Sequence, residues 1–323
     1  MKKSWYLIIP VLIVLIFPQK HVAQTNENTT KVLFIGNSYT YYHSMPKLFK
    51  AMVEHRFPAH QVETKFVGHG GATLKQQWEE GRALHEIQSG ELDYVIIQEQ
   101  SMLGEEIFED GKSYVLSPDQ FFEYARKFVH QIQKSGAEAV FYMTWSRKDQ
   151  PDQQKYLTYA YMSIAKETGS LIAPVGLAWN SLRAIPQFDL YEMDGSHPSM
   201  YGSYTVALML FSVLFDTDPT RSPGRLEGYE ILRGGNISET KRLLCDLPIR
   251  NIEIIQDTAA EVWDRMKAND GYVNVEKAVS DKKPSQLAKI FGYLIDVKVQ
   301  FVLFAIIVGT GILWKVFVFL LKK

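Results

Sequence analysis

The sequence predicts a three-layer α/β domain built on a mostly parallel, five-stranded sheet. Short runs rich in Val, Ile, Phe and Tyr alternate with stretches of helical periodicity, which is typical of buried parallel strands and their crossover helices. Right-handed crossovers cover both faces of such a sheet with helices, which gives the three layers. The predicted strands are residues 31–36, 61–67, 93–98, 137–145 and 170–174.

Most of these strands precede a predicted helix. Ser44 is expected to cap the first helix and Pro46 to lie in its first turn, while Ser117 and Gln120 form an expected capping box. The chain from Phe215 to Gly235 is rich in Asp, Pro, Arg and Gly and reads as a loop. The predicted helices are residues 45–56, 117–136, 151–168, 200–215 and 251–266.

Composition excludes several classes of protein. The chain has 323 residues, of which 46% are hydrophobic and 22% charged, so intrinsic disorder and collagen-like repeats are excluded. The formal net charge of −1 provides no basic field for a nucleic-acid backbone, and we predict no nucleic-acid partner. Cys245 is the only cysteine, so the chain forms no internal disulfide.

The two ends carry apolar segments that lie outside the predicted domain, which spans residues 25–270. Residues 1–24 resemble a secretory signal peptide, although an uncleaved anchor is the alternative. Residues 271–298 are predicted to be a linker and residues 299–321 a transmembrane helix, with a buried or amphipathic helix as the alternative. These features predict an exported protein, anchored in the cytoplasmic membrane, with its domain on the periplasmic or extracellular side.

Polar residues follow three of the predicted strands, where the loops of a parallel sheet meet along one edge. The first loop contains Gly36-Asn37-Ser38, which presents a serine at a tight turn, although a plain helix cap is the alternative. The second is the glycine-rich loop of residues 68–73, and the third contains Gln98-Glu99-Gln100. If the third strand persists, Gln98 and Gln100 point the same way.

An acid and an imidazole share the loop after the fifth strand, in Asp194-Gly195-Ser196-His197. The three-residue spacing lets the Asp194 carboxylate accept the Nδ1 proton of His197, which leaves Nε2 free as a base. A serine hydroxyl needs such a base to become a nucleophile. Ser38, His197 and Asp194 therefore form a candidate catalytic set, while a helix-capping histidine is the alternative.

Together these motifs resemble the SGNH/GDSL hydrolase superfamily, over roughly residues 31–215. The resemblance implies a flavodoxin-like fold and esterase or acyltransferase chemistry without a cofactor or metal. It implies that Ser38 is the nucleophile, that His197 and Asp194 complete the triad, and that the Ser38 and Gly71 N–H groups serve the oxyanion hole.

This sequence departs from the family pattern at two places. Asn37 stands where the family has an aspartate, and the third block lacks the usual Gly-x-Asn. Gln100 takes the asparagine's place by register, with Gln98 as the alternative oxyanion donor.

The expected substrate is an ester, in particular an O-acetyl group on a carbohydrate, and the expected partners are this acylated carbohydrate or a small ester and the membrane. Tyr39 and Trp145 lie near the predicted active edge and could stack on a sugar ring. A membrane-tethered glycan O-acetyltransferase with the same triad is the first alternative. A non-catalytic glycan-binding protein and a flavodoxin-like cofactor binder are the others.

Overall fold

The computed structural model describes residues 29–269, except residues 105, 110–111, 116, 188 and 233–235. The predicted signal peptide (1–24), linker (271–298) and transmembrane helix (299–321) lie outside the described residues. In the part of the chain that is described, no helix combines the length and apolarity needed to span a bilayer.

Five parallel strands form the central sheet, in the order β2-β1-β3-β6-β7. Each predicted strand is confirmed, with ends that differ by three residues at most. The strands are β1 (Thr29–Gly36), β2 (Gln61–Gly68), β3 (Tyr94–Ile97), β6 (Glu138–Tyr142) and β7 (Leu171–Ala173). Two separate antiparallel hairpins consist of β4 (Glu106–Glu109) with β5 (Lys112–Val115), and β8 (Arg225–Gly228) with β9 (Arg242–Asp246).

Helices cover both faces of the sheet, which confirms the three-layer α/β prediction. Strand residues alternate between the faces, so Val32 and Phe34 belong to one apolar core while Leu33 and Ile35 belong to the other. The helices are α1 (Ser38–Tyr41), α2 (Met45–Arg56), α3 (Leu74–Glu80), α4 (Arg82–Gln88), α5 (Asp119–Lys134), α6 (Gln154–Thr168), α7 (Val175–Leu182), α8 (Met200–Leu214) and α9 (Ile249–Lys267). Helices α2, α7, α8 and α9 pack on the first face, and α3 to α6 on the second.

The predicted cap of α2 is right in position only, with Pro46 in the first turn as predicted, and the predicted cap of α5 is wrong. Ser44 precedes α2 but has a left-handed backbone, and its Oγ accepts a hydrogen bond from the Ile231 N–H at 2.9 Å instead of capping the helix. The expected capping box of α5 does not form, because Pro118 occupies the N-cap position. Ser117 Oγ accepts from the Asp119 N–H at 3.2 Å instead. In both cases tertiary contacts or proline geometry override a local sequence preference.

Several short elements were not predicted from the sequence. The stretch read as a loop after Phe215 contains β8, whose partner β9 begins 14 residues after it ends. Helices α3, α4 and α7 have only seven or eight residues each, which is too short for a clear 3.6-residue periodicity.

Candidate active site

Ser38 lies at the carboxyl end of β1, as the first residue of α1. Asn37 is the N-cap of this short helix, and its Oδ1 accepts a hydrogen bond from the Tyr39 N–H at 3.0 Å. This turn places Ser38, a residue 7% exposed, at the end of β1.

The Asp194–His197 loop precedes α8 and folds into a tight turn. Asp194 Oδ1 accepts hydrogen bonds from the N–H groups of Ser196 and His197, both at 2.9 Å. Gly195 has a φ of +66°, a backbone conformation that a glycine adopts without strain. The loop therefore holds the acid and the imidazole three residues apart on one rigid turn.

Ser38, His197 and Asp194 form one chain of hydrogen bonds. His197 Nε2 lies 2.9 Å from Ser38 Oγ, and His197 Nδ1 is hydrogen-bonded to Asp194 Oδ2. Because the carboxylate only accepts, Nδ1 carries the proton in the neutral imidazole and Nε2 accepts from the serine hydroxyl. The structure thus brings together the three residues that the sequence pairs, in an arrangement that can take a proton from Ser38.

Electrostatics favour the charged form of Asp194. Partial burial opposes ionisation, but hydrogen bonds from the His197 ring and from the Ser196 and His197 amides outweigh it, so the pKa of Asp194 lies below its usual value. The described residues contain no cluster of three or more His, Cys, Asp or Glu side chains arranged to hold a metal ion.

The glycine-rich loop lies beside Ser38 and is held there by Asn37. Asn37 Nδ2 donates to the Ala72 carbonyl at 3.0 Å, a bond that an aspartate could not make, which accounts for the asparagine at this position. Gly71 has a φ of +71°, a left-handed backbone conformation that glycine adopts without strain. Within the described residues, the backbone N–H groups of Ser38 and Gly71 donate to no protein acceptor.

The two glutamines of the third block have different environments. The strand β3 ends at Ile97, so the strand alternation that would point Gln98 and Gln100 the same way does not apply. Gln98 is buried, its Oε1 accepts from the Asn37 N–H and the Thr40 hydroxyl, and its Nε2 donates to the Glu99 carbonyl. These contacts make Gln98 a support of the turn that holds Ser38.

Gln100 is only partly buried. Its Oε1 accepts from the Met102 N–H at 2.6 Å, while its Nε2 lies 3.4 Å from Ser101 Oγ, which is a long hydrogen bond. Of the two glutamine amides, that of Gln100 is therefore the more weakly held.

The prediction that Trp145 and Tyr39 stack on a sugar is wrong, because both rings are buried. Trp145 is 0% exposed and lies between the rings of Tyr39 and Trp179, with centroid distances of 4.5 and 3.7 Å. Tyr39 is 4% exposed, and its hydroxyl is hydrogen-bonded to Ser196 Oγ at 2.6 Å. Trp145 Nε1 donates to the Ser196 carbonyl at 3.0 Å, so both rings support the loop that carries His197.

Two residues of the site were not assigned from the sequence. Tyr42 is partly exposed and its ring stacks on the imidazole of His197. Ser196 joins the His197 loop to Tyr39 and Trp145. Ser196 lies inside the Asp-x-x-His motif, which was the signal for it. Tyr42 was recognisable as an aromatic residue near the predicted active edge, but its contact with His197 was not predicted.

Comparisons with known proteins give structural matches only. No family model matches the chain, and no curated protein matches it. A DUF4886 family protein from Bacteroides uniformis is 16% identical with a TM-score of 0.52, and the match covers 78% of this chain and 100% of that one. At this identity the likeness concerns the fold alone.

Two further solved structures are similar to this chain at lower TM-scores. A protein from Slackia heliotrinireducens, provisionally named an SGNH hydrolase, is 25% identical over 58% of this chain and 99% of its own, with a TM-score of 0.45. An acetylxylan esterase from Geobacillus stearothermophilus is 18% identical over 60% of this chain and 97% of its own, with a TM-score of 0.44. Neither score is high enough to support an assignment. The fold-level match shows that the chain shares its α/β fold, with the strand order β2-β1-β3-β6-β7, with the DUF4886 family protein.

Proposed function

We propose that the protein is a carboxylic ester hydrolase with Ser38 as nucleophile, His197 as general base and Asp194 as the partner of the imidazole. One observation carries the proposal, the hydrogen-bonded chain from the Asp194 carboxylate through His197 to the Ser38 hydroxyl. A serine hydroxyl is a weak nucleophile until an adjacent base accepts its proton, and this chain supplies the base in the required tautomer.

In the first half-reaction, Ser38 Oγ attacks the ester carbonyl carbon while its proton passes to His197 Nε2. The tetrahedral intermediate collapses, and the departing alcohol takes the proton from Nε2 and leaves an acyl group on Ser38. A water molecule then gives its proton to Nε2 and attacks the acyl carbon. The carboxylic acid is released, the proton returns to Oγ, and Ser38 is restored.

The negative charge of the tetrahedral intermediate would be stabilised by three donors. The Ser38 and Gly71 N–H groups are proposed because no protein acceptor uses them in the described residues. The side-chain amide of Gln100 is the third donor, since in the part of the chain that is described its Nε2 has a single, long hydrogen bond. Gln98, the alternative, is already committed to Asn37, Thr40 and Glu99.

The proposed substrate is a small acyl ester, in particular an O-acetyl group on a carbohydrate. Ser38 is 7% exposed, which favours a small acyl group. The partly exposed ring of Tyr42, next to His197, offers an apolar body and a hydroxyl to the sugar. This role replaces the one expected for Tyr39 and Trp145.

The proposed location is the outer side of the cytoplasmic membrane, with residues 299–321 as the anchor. The support is the apolar sequence of the two ends. Protease treatment of intact and lysed cells tests it: the domain should be digested in intact cells or spheroplasts and should sediment with membranes. Protection from protease in intact spheroplasts would contradict the proposed orientation.

The experiment that tests the reaction measures acetate release from an aryl acetate and from an acetylated oligosaccharide by the full-length protein in detergent. Ser38→Ala should abolish release, whereas Ser181→Ala, a serine on the surface of α7 that donates to the Leu177 carbonyl, should retain it. Equal activity of the parent and Ser38→Ala would refute the assignment. Acetyl transfer to an added sugar in place of acetate release would identify the acyltransferase alternative.

A further inference from the structure

Glu99 is a fully buried acid that connects two loops of the site. Its carboxyl accepts from the Leu74 N–H, at 3.1 Å to Oε1 and 3.2 Å to Oε2, and from the Gln100 N–H, at 2.6 Å to Oε1. Leu74 is the first residue of α3 and follows Gly71 by three residues. One side chain therefore ties the glycine-rich loop to the loop that carries Gln100.

This acid has no ion-pair partner among the described residues, and burial raises its pKa to about 8 although the Gln100 and Leu74 amides oppose the shift. Burying an ionisable group without a cation nearby lowers the stability of the fold, and burying a neutral acceptor of the same shape would lower it less. Groups that cost stability in this way are found where function requires them.

We propose that Glu99 is a positioning residue. Through its bonds to the Leu74 and Gln100 backbone N–H groups, it fixes the Gly71 N–H and the side-chain amide of Gln100 relative to Ser38. The inference rests on the proposed esterase function, because these donors need a common alignment only if an oxyanion forms between them. Within the described residues Glu99 makes no hydrogen bond to Ser38 or His197, and it acts through the two loops.

Two further hydrogen bonds hold the same loops. Asn37 Nδ2 bonds the Ala72 carbonyl, and Tyr161 accepts from the Glu99 N–H at 3.1 Å. Without the Glu99 carboxyl, the Leu74 N–H would be a buried donor without an acceptor and the part-buried Gln100 N–H would lose its acceptor, so both segments would shift to find new ones. Displacements of about 1 Å at reacting groups can lower a rate about a hundredfold.

Two variants of nearly the same size separate this role from simple packing. In Glu99→Gln, a carbonyl oxygen in place of Oε1 can still accept from both Leu74 and Gln100, so kcat should stay within about threefold of the parent. In Glu99→Leu both bonds are lost, so kcat should fall about 30- to 100-fold while KM changes less than about threefold. Equal kcat in the Leu variant and the parent would overturn the inference.

Hydrogen exchange of the two loops supplies a readout that does not depend on activity. Peptides covering residues 69–76 and 99–104 should exchange faster in Glu99→Leu than in the parent or in Glu99→Gln. Peptides from β6 should exchange at the parent rate, which establishes that the fold is intact. Faster exchange throughout the chain would mean that the Leu variant does not fold.

If Glu99→Leu does not fold, Glu99→Asp tests the positioning role instead, because it keeps the carboxyl group but shortens the side chain by one methylene. A fall in kcat of about tenfold, with Glu99→Gln unaffected, supports the inference, and parent activity in the Asp variant overturns it. If the parent itself releases no acetate, the proposed function fails. If the parent is active and the Leu and Asp variants match it, only the positioning role fails.

Discussion

Tyr42 lies flat on the imidazole of His197, with ring centroids 4.3 Å apart and 13° between the ring planes. The ring of Tyr39 makes a T-shaped contact with the same imidazole, with ring centroids 5.8 Å apart and 71° between the ring planes. His197 is thus confined by a stacked ring and an edge-on ring, in addition to its bonds to Asp194 and Ser38. This confinement limits the rotation of the imidazole during proton transfer.

The stacked ring leads to the first prediction. Tyr42→Ala should lower kcat about tenfold, because the uncovered imidazole samples orientations in which Nε2 does not face Ser38. Tyr42→Phe keeps the ring and should retain kcat, while KM reports any use of the hydroxyl by a sugar. Steady-state kinetics on an aryl acetate and an acetylated oligosaccharide measure both, and an unchanged kcat in Tyr42→Ala would show that the stack has no role.

Asp194→Asn should lower kcat by about four orders of magnitude, because an asparagine amide facing Nδ1 favours the tautomer that protonates Nε2. The matched control is Asp189→Asn in the same loop region, where the carboxylate pairs with Lys148 and both side chains are about half exposed. That variant should keep parent activity. The measurement is kcat at neutral pH for all three proteins, and a loss in both variants alike would contradict a specific role for Asp194.

The two glutamines should behave differently when replaced by alanine. Gln100→Ala should lower kcat about a hundred- to a thousandfold with little change in melting temperature, since an oxyanion donor acts only in the transition state. Gln98→Ala removes the acceptor of the Asn37 N–H and the Thr40 hydroxyl, and it should cost about 1–3 kcal/mol of unfolding free energy. Kinetics and urea unfolding on both variants test this, and the reverse pattern would assign the donor to Gln98.

Trp145 should prove structural rather than sugar-binding. Trp145→Ala removes a fully buried ring and should cost about 3–5 kcal/mol of unfolding free energy. Trp145→Phe keeps an aromatic ring in the stack and should cost less. Denaturant unfolding measures the loss of unfolding free energy. A Trp145→Ala variant with parent stability and a raised KM for a glycan would instead support the sequence prediction that Trp145 stacks on a sugar.

The raised pKa of Glu99 makes stability depend on pH with a definite sign. In the folded state the pKa of Glu99 is about 8, whereas the ordinary pKa of a glutamate is 4.5. Between pH 4.5 and pH 8 the folded chain therefore binds more protons than the unfolded chain. Unfolding free energy therefore falls as pH rises, by at most about 1.4 kcal/mol per pH unit. Glu99→Gln has no titrating group at this position, so its unfolding free energy relative to that of the parent should increase from pH 5 to pH 8 in urea unfolding. A difference in unfolding free energy that does not change with pH would contradict the raised pKa of Glu99.

The strands and the candidate triad could be predicted because their signals are local. Runs of β-branched and aromatic residues define the strands, and the Asp194–His197 spacing fits one turn whatever surrounds it. Ring exposure is different, because only the packed structure determines that Trp179 and Tyr39 cover both faces of Trp145. The glutamine ambiguity had a similar origin, since the end of β3 at Ile97 depends on pairing with β1 and β6.

The parallel indoles of Trp145 and Trp179, 3.7 Å apart with 2° between their planes, also have an optical consequence. Rings stacked this closely share their excited state, so their ultraviolet absorption and emission depend on the spacing between them. Because Trp145 donates to the carbonyl of Ser196, one residue before His197, movement of that loop would alter this spacing. The chain thus contains a natural chromophore pair beneath its candidate catalytic loop, which stopped-flow fluorescence could follow during turnover without an added label.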